Sequence, residues 1–141
     1  MLFVSGSSPF LDITPKVYEF FTSSYEIRSD VEICHVNLRD ENALGFTEVN
    51  GEEQFVQVHN KGMTYEEHCK TILHELMHVV QNENGIIDED ERERQAYDME
   101  GVLYTNFLAT LDPSGVPVGK VSTSPPTARW SVYIRCMGDN R

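Results

Sequence analysis

Hydrophobic positions along this chain recur with helical spacing in two long stretches. From Tyr65 to Asn84, Ile72, Leu73, Leu76, Val79 and Val80 fall at three- and four-residue steps, which predicts one helix with an apolar stripe against a core. Thr64 followed by Glu67 is a capping-box pair, and Gly85 stands where a left-handed residue closes a helix. A second helix is predicted from about Asp90 to Leu111, acidic in its first turn, with Ala96, Met99, Leu103 and Phe107 in register. An adjoining stripe on it carries Glu93, Ala96, Tyr97, Glu100 and Tyr104. A shorter helix is announced by Thr14 as N-cap and Pro15 at the first helical position, with Val17, Phe20 and Phe21 as its buried face and an end between Ser23 and Tyr25.

Other stretches alternate with period two. Val31 to Leu38 reads as a half-buried strand with Val31, Ile33 and His35 on one face and Cys34, Val36 and Leu38 on the other; the pattern does not choose the core face. Leu44 to Val49 and Glu53 to His59 flank Asn50-Gly51, a strong hairpin signal. Residues 1–13 suggest a leading strand and a turn. After Leu111 come turn and proline-rich residues, then Trp130 to Cys136, which alternates like a final strand. The expectation is a single α+β domain over residues 1–141: a small, mostly antiparallel sheet, helices packed on it, and an irregular extension over 111–141 ending in a strand.

The long first helix carries His74-Glu75-Leu76-Met77-His78 at its middle. Residues four apart share a helix face, so the two imidazoles can close on one metal ion while Glu75, one position round, reaches the water beside it. A catalytic zinc site with two histidines takes its third ligand from another element, and the second helix offers Glu93, with Glu100 and Glu91 behind it. Tyr97 or Tyr104 is a candidate oxyanion donor if that helix faces the cleft, a buried structural role being the alternative. His35 and His59 read as hydrogen-bonded strand histidines, His59 near enough to the motif helix to border a cleft. His68 precedes His74 by a rotation of about 240° and points away from the metal face.

This pairing of His74-Glu75-Leu76-Met77-His78 with a downstream helical glutamate resembles the zincin metallopeptidases, and among them the gluzincin branch. Glu93-Arg94-Gln95-Ala96-Tyr97 is similar to a Glu-x-Glu-Ala segment of small bacterial and phage zincin-like domains, with Gln95 in place of the second glutamate. The resemblance implies His74, His78 and Glu93 as zinc ligands and Glu75 as general base. The Gly and third His that mark metzincins do not follow the motif.

Charge narrows the partners. With 23 acidic and 11 basic residues the formal net charge is -12, which argues against nucleic acid or an anionic membrane as partner. Cys34, Cys69 and Cys136 form no paired motif, and no secretory leader is evident, so a cytoplasmic protein is expected. The reading is a zinc-dependent hydrolase, a metalloprotease acting on a protein or peptide substrate, with no prediction of oligomeric state. The alternatives are a zinc-binding module without turnover and an acidic, metal-free interaction protein.

Overall fold

In the computed structural model, which describes residues 1–111, three helices accompany a four-stranded sheet, the central helix buried against it and the other two packed around that helix. Strands β1 (Leu2–Gly6), β2 (Asp30–Val36), β3 (Gly45–Asn50) and β4 (Glu53–His59) lie in the order β1-β2-β4-β3. β1 runs parallel to β2 with Val4 opposite Ile33, and β2 parallel to β4 with Ile33 opposite Val56. β3 and β4 form the expected hairpin, with Thr47 opposite Val56. The sheet is therefore mixed, and the mostly antiparallel expectation is corrected. Alternation and turn residues report only the local hairpin, whereas the parallel pairs arise because helix α1 (Thr14–Thr22) crosses over from β1 to β2 and β3 is displaced to the edge. The predicted strand Trp130 to Cys136, and the rest of the extension beyond Leu111, lie outside the described residues.

Thr14 is the first residue of α1 rather than its N-cap. A 3-10 turn over Leu11–Ile13 leads straight into the helix, Ile13 occupies the cap position, and no side chain caps it. The Thr14 hydroxyl is thereby released for other partners. Val17 and Phe21 are buried and Phe20 is half-buried, its ring edge-on to Phe107 at 5.7 Å.

Helix α2 (Tyr65–Glu83) begins with the predicted capping box: the Glu67 N–H donates to Thr64 Oγ1 at 3.1 Å and the Thr64 N–H donates to Glu67 Oε1 at 3.0 Å. Gly85, with φ 73°, takes the left-handed position after it. Every residue from His68 to Val79 is buried, so the helix is no surface rod with one apolar stripe. It has the sheet on one side and α1 and α3 (Glu89–Leu111) on others. Its histidines, Glu75 and Lys70 consequently need partners inside the protein.

Val31, Ile33, Val56 and Val58 of the sheet interlock with Val17, Phe21, Ile72, Leu73, Leu76 and Val79, each such burial contributing about 1.5–3 kcal/mol. This settles the face of β2: Val31, Ile33 and His35 point to the helices, while Val36 joins Leu38, Ala43 and Phe46 in a small second cluster. On α3, Ala96, Leu103 and Phe107 are buried and hold the helix over α2. No helix among the described residues is long and apolar enough to cross a membrane.

Candidate metal centre

His74 and His78 lie one turn apart on α2, fully buried, their rings edge to face at 4.8 Å. The short connection after Gly85 folds α3 back along α2, and Arg92 ties it down by donating from Nη1 to the Ile86 carbonyl at 2.8 Å. Glu93 then reaches both imidazoles: Oε1 is 3.3 Å from His74 Nε2 and Oε2 is 3.2 Å from His78 Nε2. Ligand atoms of these three residues all lie within 4.8 Å of one another, close enough to hold one metal ion. Of the competing carboxylates, Glu91 is exposed and Glu100 sits on the other nitrogen of His74.

The outer nitrogens of both rings are held. Glu100 Oε1 accepts from His74 Nδ1 at 2.7 Å. Gln81 donates from Nε2 to the Arg92 carbonyl at 3.0 Å and to Gln95 Oε1 at 2.7 Å, which turns its own Oε1 to His78 Nδ1 at 2.8 Å. His78 Nδ1 must then carry the proton, and Nε2 presents a lone pair toward the Glu93 carboxylate. That nitrogen is buried 3.2 Å from Glu93 Oε2, and no other polar partner reaches it among the described residues. Two acceptors facing each other in the interior need a proton or a metal cation between them. The donor set suits zinc, and donors on a tetrahedral zinc with bonds of about 2.0–2.1 Å stand roughly 3.3 Å apart, close to the separations from Glu93.

Burial alone would lower His74, but its hydrogen bonds to Glu100 and Glu93 and the field of nearby carboxylates push it up to about 9. Burial would raise Glu93, yet the two imidazoles pull it down to about 2. Glu100 is raised above the ordinary carboxylate range, burial outweighing the His74 contact. Without metal, a proton on His74 occupies the position of the ion.

Glu75 is fully buried beside this cluster. Its Oε1 accepts a close hydrogen bond from the Thr47 hydroxyl of β3, and its Oε2 has no partner among the described residues. Gly45 makes room for it, since a Cβ there would stand 2.9 Å from Glu75 Oε2. Thr47 in turn lines a cleft of about 550 Å³, together with Val49, Ile86, Ile87, Arg92 and Glu93. Val49 and Ile87 are large apolar side chains left 54% and 88% exposed at this cleft, and β3 is an edge strand of the sheet.

The two tyrosines part company. The Tyr97 ring stands edge-on to His74 at 5.1 Å, and burial with the fields of Glu93 and Glu100 raises its phenol, which stays protonated. Tyr104 is buried further along α3 beneath the Lys70 ammonium, 5.7 Å from its ring centre. His59 accepts the Leu38 N–H at Nδ1, 2.9 Å away, and does not line the cleft; His35 and His68 meet Thr14 on the far side of α2 from the motif face. The reading of residues missed Thr47, Gly45 and Gln81, and it placed Glu100 as a rival ligand rather than as the partner of His74. Gln81 at three residues from His78 was a findable signal; nothing local marks Thr47 or Gly45. No protein-family model, curated protein or solved structure matches this chain.

Proposed function

We propose that the chain is a zinc-dependent peptidase of the zincin type, with zinc held by His74, His78 and Glu93 and Glu75 as general base. The observation that carries this reading is the buried group of His74, His78 and Glu93, whose ligand atoms all lie within 4.8 Å of one another, one turn from a glutamate that a purely structural site would not need. A zinc ion held by these residues would supply Lewis acidity toward a water and a peptide carbonyl. Glu75 Oε2, with no partner among the described residues, accepts the proton of the attacking water and returns it to the leaving amine, while Thr47 holds Oε1 in place. Glu100 and Gln81 fix the two imidazoles by their outer nitrogens. Arg92 and the outer edge of β3 offer hydrogen bonds to an extended substrate, and Val49 and Ile87 offer it apolar contact.

The test is elemental analysis and peptidase assay of the zinc-loaded parent and its Glu75→Gln variant on an unstructured protein such as casein. The expected result is near one zinc per chain in both and a rate lower by about 10²–10⁴-fold in the variant. No zinc in the parent after zinc is offered sinks the metal reading and promotes an acidic interaction protein. Zinc in both without cleavage by either leaves a binding module.

A further inference from the structure

A second histidine cluster lies apart from the metal centre, where α1, β2 and the amino-terminal half of α2 meet. Thr14 Oγ1 is 2.8 Å from His35 Nε2 and 3.2 Å from His68 Nε2. All three side chains are at or below 1% exposure, and none of them lines the cleft beside Glu93. The two imidazoles stack at 5.5 Å with 18° between planes, and the Phe10 ring lies tilted against His68 at 5.5 Å.

The hydrogen bonds allow only one set of protons. His35 Nδ1 faces the Ser5 carbonyl of β1 at 2.9 Å and must donate to it. A neutral His35 then accepts at Nε2, so the Thr14 hydroxyl donates to it, and Thr14 in turn accepts from His68 Nε2–H. His68 Nδ1 is left as a buried lone pair with no partner among the described residues. A second proton on His35 would strip the Thr14 hydroxyl of its acceptor. A second proton on His68 would sit at Nδ1, buried, with nothing to accept it.

Nothing nearby compensates a positive charge. From α1 the ring neighbour is Thr14, from the preceding turn Phe10, from β1 the Ser5 carbonyl, and among these elements the titratable group facing His68 is His35 itself. No carboxylate contacts either ring among the described residues.

We propose that His35, Thr14 and His68 form an acid-sensitive latch that holds α1 and β2 against the amino-terminal half of α2 only while both imidazoles are neutral. Burial, and secondarily the charge of His35, lowers His68 to about 4, and burial lowers His35 in spite of its bond to Ser5. Both shifts are downward, so the unfolded chain takes up protons below 6.5 that the folded chain refuses, and stability is lost as pH falls through that value. The latch is independent of the zinc reading, although α2 carries both.

The experiment is urea unfolding of the full chain at pH 7.5 and 5.5, parent against His68→Phe, which keeps a ring and removes the titration. Lowering pH should raise the parent's unfolding equilibrium constant more than the variant's by about tenfold, the factor for one histidine held neutral over that interval. Groups common to both proteins, His59, His74 and His78 among them, cancel in this comparison. Equal pH responses would overturn the proposal. Nitrogen NMR of the parent's imidazoles decides independently of whether the variant folds. Neutral Nδ1–H His35 and Nε2–H His68 at pH 5.5 support the latch, and either ring charged at pH 6 in the folded chain overturns it.

Discussion

Glu100 Oε1 lies 2.7 Å from His74 Nδ1, on the same helix as Glu93 and seven residues beyond it. Seven residues are two turns, so one face of α3 delivers a carboxylate to each side of a single imidazole. Glu93 meets the nitrogen that would bind metal, and Glu100 meets the nitrogen that orients the ring. Replacing Glu100 by Gln keeps a hydrogen-bond acceptor but removes the charge that makes His74 basic. Zinc affinity, measured by competition with a chromophoric chelator, is expected to fall by about 10–100-fold while the far-ultraviolet circular dichroism is unchanged.

The close approach of β3 to Glu75 yields a second prediction. A methyl group at Gly45 would stand 2.9 Å from Glu75 Oε2 and 3.1 Å from both the Gln57 carbonyl oxygen and Thr71 Cγ2. Overpacking of this kind costs about 1–3 kcal/mol. Gly45→Ala should lower the urea midpoint accordingly and displace the Glu75 carboxylate, so that peptidase activity falls while zinc content stays near the parent's. Activity equal to the parent's would show that Glu75 tolerates the shift.

The candidate metal centre has a pH signature opposite in sign to that of the Thr14 latch. His74 is raised to about 9, so its contribution to the metal-free protein is fully present below 6.5 and is lost as pH rises through 9. Glu93 is depressed to about 2, so its contribution is present above 4.5 and is lost as pH falls through 2. Zinc must displace the His74 proton, and its affinity should rise by about tenfold per pH unit between pH 6.5 and 8.5. Zinc titrations across that interval check the slope, and His74→Gln, which has no proton to release, should abolish both binding and the alkaline loss of stability in chelator-treated protein.

Much of the local structure was legible in order along the chain. The capping box at Thr64 and Glu67, the stop at Gly85, the Asn50-Gly51 hairpin and the helix through Phe107 depend on residues within a few positions of one another, where propensity and periodicity act. The spacing of His74 and His78 is likewise a property of one helix, and the candidate pairing with Glu93 required only that a second helix fold back. The parallel pairing of β1, β2 and β4 was not legible, because it joins strands whose intervening chain is a helix or a hairpin and no short-range pattern records it.

The sequence by itself determined that two imidazoles and a glutamate share a mid-helix segment and that a second acidic helix follows, since both facts are written in spacing. Only the tertiary structure decided which carboxylate faces the Nε2 atoms of His74 and His78 and which the Nδ1 of His74, because Glu93 and Glu100 lie on the same face of α3 and differ only in where that helix crosses α2. It also decided the fate of the polar residues. Burial of α2 on all sides forces Glu75 onto Thr47, His78 onto Gln81, and His35 and His68 onto Thr14, pairings that follow from the cost of an unpartnered polar group in the interior and not from any separation along the chain.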